Sequence, residues 1–132
     1  MDYLLDTETA IWAALDSDKL PKHIKDVIKN RNNRIFVSTI SFWEIAIKHA
    51  KKPHLMPYSA IDIANAFYNS DFVIDDIRFQ NIVELEQNIL PIKLHNDPFD
   101  LAIIAQAVSN SHILITCDSI IKQYKFVNIL GY

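Results

Sequence analysis

Glycine is almost missing from this 132-residue chain, with one occurrence, and cysteine also occurs once, at Cys117. The first scarcity excludes collagen-like and glycine-rich low-complexity classes. The second excludes an intrachain disulfide and a cysteine-rich zinc site, and it suits a reducing compartment. A basic surplus is missing too, since 13 lysines and arginines face 16 aspartates and glutamates, for a net charge of −3. Broad attraction to a polyanion is therefore disfavoured, and any such contact has to be local. No apolar run approaches the roughly 18 residues of a membrane span, and the N-terminus lacks the layout of a signal peptide. A cytoplasmic protein with no membrane association is expected.

Half of the residues are hydrophobic, enough for a real core at this length. Local patterns predict strands over 2–5, 35–37, 72–74, 113–116 and 127–130. Helices are predicted over 8–15, 21–30, 39–51, 59–69, 77–88, 98–110 and 119–123. Strands alternating with helices imply an α/β fold: a single domain over residues 1–132, with a mostly parallel central sheet flanked by helices.

Four acids from separate parts of the chain, Asp6, Glu44, Asp100 and Asp118, lie where apolar segments meet an end or a polar seam. Tyr3-Leu4-Leu5-Asp6 and Ile113-Leu114-Ile115-Thr116-Cys117-Asp118 read as strands buried on both faces. Their aspartates then stand just past carboxyl strand ends, where open α/β sheets place ligands. Taken alone, each reads more readily as a cap of the next helix, whereas the pair reads as part of a site. In Asp97-Pro98-Phe99-Asp100, Asp97 reads as an N-cap and Pro98 as the first helical residue. Asp100 then tops an apolar stripe of Ile103, Ile104 and Ala107, so its carboxylate emerges at the edge of the core.

In the helix predicted over 39–51, Ser41, Glu44, Lys48, Lys51 and Lys52 share one arc, and Ile40, Phe42, Trp43, Ala46, Ile47 and Ala50 cover most of the rest. A largely buried helix with one narrow polar seam is expected. That seam is either a solvated edge with a Glu44–Lys48 pair, or it faces a cleft with Glu44 toward the aspartates and lysines available to phosphates. Two basic clusters, Lys22 to Arg34 and Lys48 to His54, are candidate anion contacts, the first reading better as solvated helix surface. Phe72-Val73-Ile74-Asp75-Asp76 repeats the strand-end pattern, and its acids are expected to cap a helix starting at Ile77.

Carboxylates brought together repel one another until a cation enters, and hard ions such as Mg²⁺ and Mn²⁺ choose oxygen ligands. One or two such ions would promote hydrolysis of a phosphodiester.

Leu4-Leu5-Asp6-Thr7, Trp43-Glu44-Ile45-Ala46-Ile47-Lys48, His95-Asn96-Asp97-Pro98-Phe99-Asp100 and Thr116-Cys117-Asp118 resemble, in order, the successive motifs of PIN-domain ribonucleases, above all VapC-type toxins of toxin–antitoxin pairs. The resemblance implies a Mg²⁺- or Mn²⁺-dependent endoribonuclease, often a homodimer, that cleaves structured or transfer RNA and is held inactive by a cognate antitoxin protein. It assigns Asp6, Glu44, Asp100 and Asp118 to the acidic quartet, with Asp97 as a further metal-side carboxylate. Thr116, Thr7 and Lys48 stand beside them in support. Two positions depart from the pattern: Glu8 where relatives often carry His, and Leu101 where many carry Arg. The first adds negative charge near the acids and the second removes a phosphate contact. The alternative reading is therefore a catalytically impaired module that acts through protein or RNA binding.

Overall fold

Two short apolar strands, β1 (Asp2–Leu5) and β4 (Ile113–Thr116), lie side by side in the middle of a five-stranded parallel sheet. The computed structural model describes residues 1–68 and 70–132. With β2 (Arg34–Ser38), β3 (Phe72–Asp75) and β5 (Ile129–Gly131), the strand order is β3-β2-β1-β4-β5, and every pairing is parallel. This is the expected α/β architecture.

Alternation along the central strands sends side chains to two separate cores. Leu4 and Leu114 face one side, covered by α6 (Pro98–Ser109), whose residues Leu101 to Ala107 are all buried. Tyr3, Leu5 and Ile115 face the other, where they meet α1 (Thr7–Ala14), α2 (Lys22–Lys29), α3 (Thr39–Lys51) and α4 (Ala60–Phe67). Among the described residues no helix is long and apolar enough to cross a membrane.

Most element boundaries fall within one or two residues of expectation; residue 69, the expected end of the α4 helix, lies outside the described residues. The segment expected as one helix over 77–88 differs more. It is α5 (Phe79–Glu84), then a π-helical turn over Leu85–Ile89 and a 3₁₀ turn over Leu90–Ile92. Pro91 has no amide hydrogen to continue α-helical bonding, so the chain widens and then tightens there. Nor do Asp75 and Asp76 cap it. The N-cap is Arg78, whose backbone N–H donates to Asn81 Oδ1 at 2.8 Å, and buried Asp75 ends β3, accepting from Asn110 Nδ2 at 3.0 Å. The strand expected over 127–130 starts at Ile129, because the Val127 N–H closes a turn onto the Tyr124 carbonyl. The helix expected over 119–123 is a 3₁₀ turn over Ile121–Gln123.

Scarce glycine leaves its mark in the backbone. Turns that need a left-handed residue are made by Asp16 (φ 49°), Lys93 (φ 60°) and Ser111 (φ 57°), each costing about 1–2 kcal/mol against a relaxed conformation.

Fully buried Leu4 lies on the central strand, so Leu4→Ala is expected to cost about 2–5 kcal/mol in urea unfolding. Ile74→Ala, at a side chain 56% exposed on the edge strand β3, should cost no more than about 1 kcal/mol. Equal losses would contradict the strand order.

Candidate metal centre

The order of strands reverses between β1 and β4, because β2 and β3 build outward on one side and β5 on the other. At such a switch point the following loops part and leave a crevice beyond the carboxyl strand ends. Asp6 directly follows β1 and Asp118 lies two residues past β4. Here a cleft of about 510 Å³ is lined by Asp6, Glu44, Asp97, Asp100 and Asp118, together with Thr7, Glu8 and Lys48. Four distant stretches of sequence thus place carboxylates in one concavity. Asp75 and Asp76, with the same local pattern, do not line it.

Each acid is held by its own set of donors. Asp6, 4% exposed, caps α1 by accepting the Thr9 N–H at Oδ1 (2.9 Å), while Oδ2 accepts the buried Thr116 hydroxyl across the β1–β4 junction. The Thr116 oxygen in turn accepts the Asp118 N–H at 3.0 Å. Asp118 spends Oδ1 on the Ile120 and Ile121 amides, at 2.8 and 2.9 Å, and turns Oδ2 toward Asp100 and His95. Asp97 caps α6 through the Phe99 and Asp100 amides. The capping and the cleft-lining readings of these aspartates therefore hold together.

Of the two readings of the α3 seam, Glu44 and Lys48 follow the cleft-facing one, but the burial expected of the rest of the helix does not hold throughout. Its polar seam, Ser41 and Glu44, is buried, whereas Trp43 is 58% exposed and Ala46 and Ala50 face outward. Glu44 turns inward because donors wait there: Thr7 Oγ1 donates to Oε1 at 2.7 Å, and Lys48 Nζ to Oε2 at 2.5 Å. Lys48 is thus both the i, i+4 partner of Glu44 and a cation lining the cleft. Burial works against its ammonium, but Glu44, Asp97 and Asp100 outweigh that and raise its pKa. Four cations of the Lys22 to Arg34 cluster sit beside acids, Lys22 with Asp26, Lys25 and Lys29 with Asp16, and Arg34 with Asp2, as ordinary surface would have them.

Burial raises the pKa of Asp6 above the usual carboxylate range, against the pull of its Thr116 and Thr9 hydrogen bonds. Asp100 is raised to about 7 by burial and by the nearby charges of Asp97, Glu44, Asp6 and Asp118. Burial and mutual repulsion together hold a proton where a cation would be favoured. The oxygen-rich donor set fits a hard divalent ion: Asp100 and Asp118, with His95 beside them, bring side-chain atoms within 4.8 Å of one another, and Asp6, Asp97 and Glu44 line the same cleft.

Glu8 is exposed on the cleft wall and accepts a weak Cys117 thiol contact at 3.6 Å. Leu101, by contrast, is 8% exposed and packs in the core, not in the cleft. His95, whose sequence motif carries no assigned role, has its Nε2 2.9 Å from Asp100 Oδ2 and 3.7 Å from Asp118 Oδ2. The available signal was its place two residues before the α6 cap. The apolar wall made by Ile11, Trp12, Leu55 and Met56 was also missed, since nothing local joins residues 11–12 to 55–56.

A parallel sheet with acids gathered in a cleft at its switch point defines an α/β protein with a candidate cation site at the strand ends. The PIN domain profile matches residues 3–127, and the chain belongs to that family. Among solved structures the fold is similar to DNA-bound VapBC from Salmonella typhimurium (TM-score 0.74, 20% identity, 99% of this chain and 98% of that one). It is similar as well to VapBC2 from Rickettsia felis bound to a promoter DNA fragment (0.71, 20%, 100% and 99%) and to VapBC-1 from nontypeable Haemophilus influenzae (0.72, 18%, 99% and 98%). No curated protein sequence matches significantly.

The raised Asp100 pKa has a signed consequence for stability. Its folded value, about 7, exceeds the ordinary 3.8, so the stabilisation it gives is complete below 3.8 and lost as pH rises through about 7. In EDTA, the melting temperature should therefore fall between about pH 5 and pH 8. Asp100→Asn should flatten that decline, and Mg²⁺ should reverse it in the wild-type chain. A decline of equal size in Asp100→Asn would contradict the assignment.

Proposed function

We propose that this chain is a divalent-metal-dependent endoribonuclease, the toxin of a toxin–antitoxin pair restrained by a cognate antitoxin protein. The observation that carries the reading is the convergence of Asp6, Glu44, Asp100 and Asp118 in one cleft at the β1–β4 switch point. Membership of the PIN family and the similarity to VapBC assemblies across nearly the whole chain support it. When bound, one or two Mg²⁺ or Mn²⁺ ions supply Lewis acidity that activates an attacking water and offsets charge at the scissile phosphate.

The chain's own residues do the rest. Asp6, Asp100 and Asp118 present oxygens to the cation, with Asp97 as a further acidic neighbour. Thr116 fixes Asp6, and Thr7 fixes Glu44. The Lys48 ammonium, about half exposed, offers a local positive charge to a phosphate within an otherwise acidic cleft. Structured or transfer RNA is the proposed substrate class. The protein works in the cytoplasm as a homodimer, and the exposed Phe79, Ile82 and Leu90 suit contact with a second copy.

Incubated with total RNA, the purified chain should cleave with Mg²⁺ and stop on addition of EDTA. Asp6→Asn and Asp100→Asn should each lower cleavage by more than about 100-fold while leaving the circular dichroism spectrum unchanged. Activity retained in both variants would refute the reading.

Exposed Glu8 on the cleft wall favours a second reading, a PIN-like module with impaired turnover that acts through protein or RNA binding. Calorimetric titration with Mn²⁺ separates the two. Uptake that is lost in Asp100→Asn supports the nuclease, and no detectable uptake by the wild-type chain supports the module.

A further inference from the structure

His95 is nine-tenths buried, its side chain 9% exposed, and its Nε2 faces two carboxylates while making no aligned hydrogen bond. Its loop is pinned from both sides. The His95 N–H donates to the hydroxyl of buried Tyr124 at 3.1 Å, and the ring Nδ1 accepts the Asp97 N–H at 3.2 Å. That second contact decides the chemistry of the ring. A nitrogen that accepts an N–H carries no proton of its own, so the neutral ring holds its proton on Nε2.

The protonated Nε2 then lies 2.9 Å from Asp100 Oδ2 and 3.7 Å from Asp118 Oδ2, its N–H aligned with neither. Ligation of a metal through Nε2 needs the opposite arrangement, with that nitrogen bare and Nδ1 donating to an acceptor. Here the partner of Nδ1 is itself a donor.

We propose that His95 is a positioning residue whose Nε2–H, held beside the Oδ2 atoms of both Asp100 and Asp118, orients those carboxylates for a divalent cation, without ligating it. The inference rests on the cation-binding part of the function proposed above. It adds that the loop before α6 sets the ring tautomer, through the Asp97 amide, and the tautomer in turn sets the carboxylates.

Two measurements on the full-length chain test this, neither of which reads RNA cleavage. In ¹⁵N-histidine NMR, the His95 ring should show a protonated Nε2 and an unprotonated Nδ1, and it should keep that pattern when Mg²⁺ is added. Loss of the Nε2 proton on addition of Mg²⁺ would overturn the proposal in favour of a ligand. In calorimetric Mg²⁺ titrations, His95→Ala should bind about 10- to 100-fold more weakly than wild type. His95→Gln, whose side-chain amide reaches toward the Nε2 position, should recover most of that loss. Equal weakening in both variants would reduce His95 to a packing residue, and unchanged affinity in His95→Ala would remove the positioning role. In both outcomes wild-type Mg²⁺ uptake leaves the nuclease reading standing. RNA left intact by a chain that binds Mg²⁺ in a His95-dependent way would reject the nuclease and keep this inference. A wild-type chain that takes up no Mg²⁺ would overturn both.

Discussion

Like charges gathered in one cleft repel, and the structure around the β1–β4 junction is organised against that repulsion. Asp6 is compensated by a hydroxyl and a backbone amide, Glu44 by a hydroxyl and an ammonium, and Asp118 and Asp97 by amides at the start of helical turns. At Asp100, burial and the field of its acidic neighbours together raise the pKa to about 7. The sheet supplies the rigidity this requires. Its two central strands are buried on both faces, so the carboxylates cannot relax apart by moving the strand ends.

Much of the architecture was legible because short apolar strands and longer periodic helices are local signals, and the parallel sheet follows from their alternation. Which way α3 faces was not. Periodicity separates the two sides of a helix without saying which is inside, and α3 carries apolar residues on both. Its seam turned inward because the buried Thr7 hydroxyl meets both Ser41 and Glu44 there, and Trp43 settled outside, edge-on to Phe99 with ring centroids 5.2 Å apart. Such partners are fixed by tertiary contact, 34 to 37 residues away in sequence.

The contrast between Asp75 and Asp118 marks the same limit. Both follow a short β-prone run, and locally nothing tells them apart. What differs is strand position: β3 is an edge strand paired only with β2, whereas β4 lies beside the reversal of strand order. Asp75 consequently meets Asn110 and the side chain of Gln106, which donates to its carbonyl, and serves a buried polar network instead of the cleft. His95 stayed hidden for a related reason. Its importance comes from the distance between its ring and two acids, one of them on the far side of α6 and β4 in sequence.

The double duty of Asp6, Asp97 and Asp118 has an outcome for how this cleft can be dissected. Each commits one oxygen to a peptide N–H at the start of a helical turn, so shortening the side chain to a methyl group frays local backbone and empties the cleft at one stroke. An amide of the same shape keeps an acceptor for the peptide and removes only the charge. Alanine scanning would therefore blur two separate losses, whereas asparagine can tell the chemist which of them mattered.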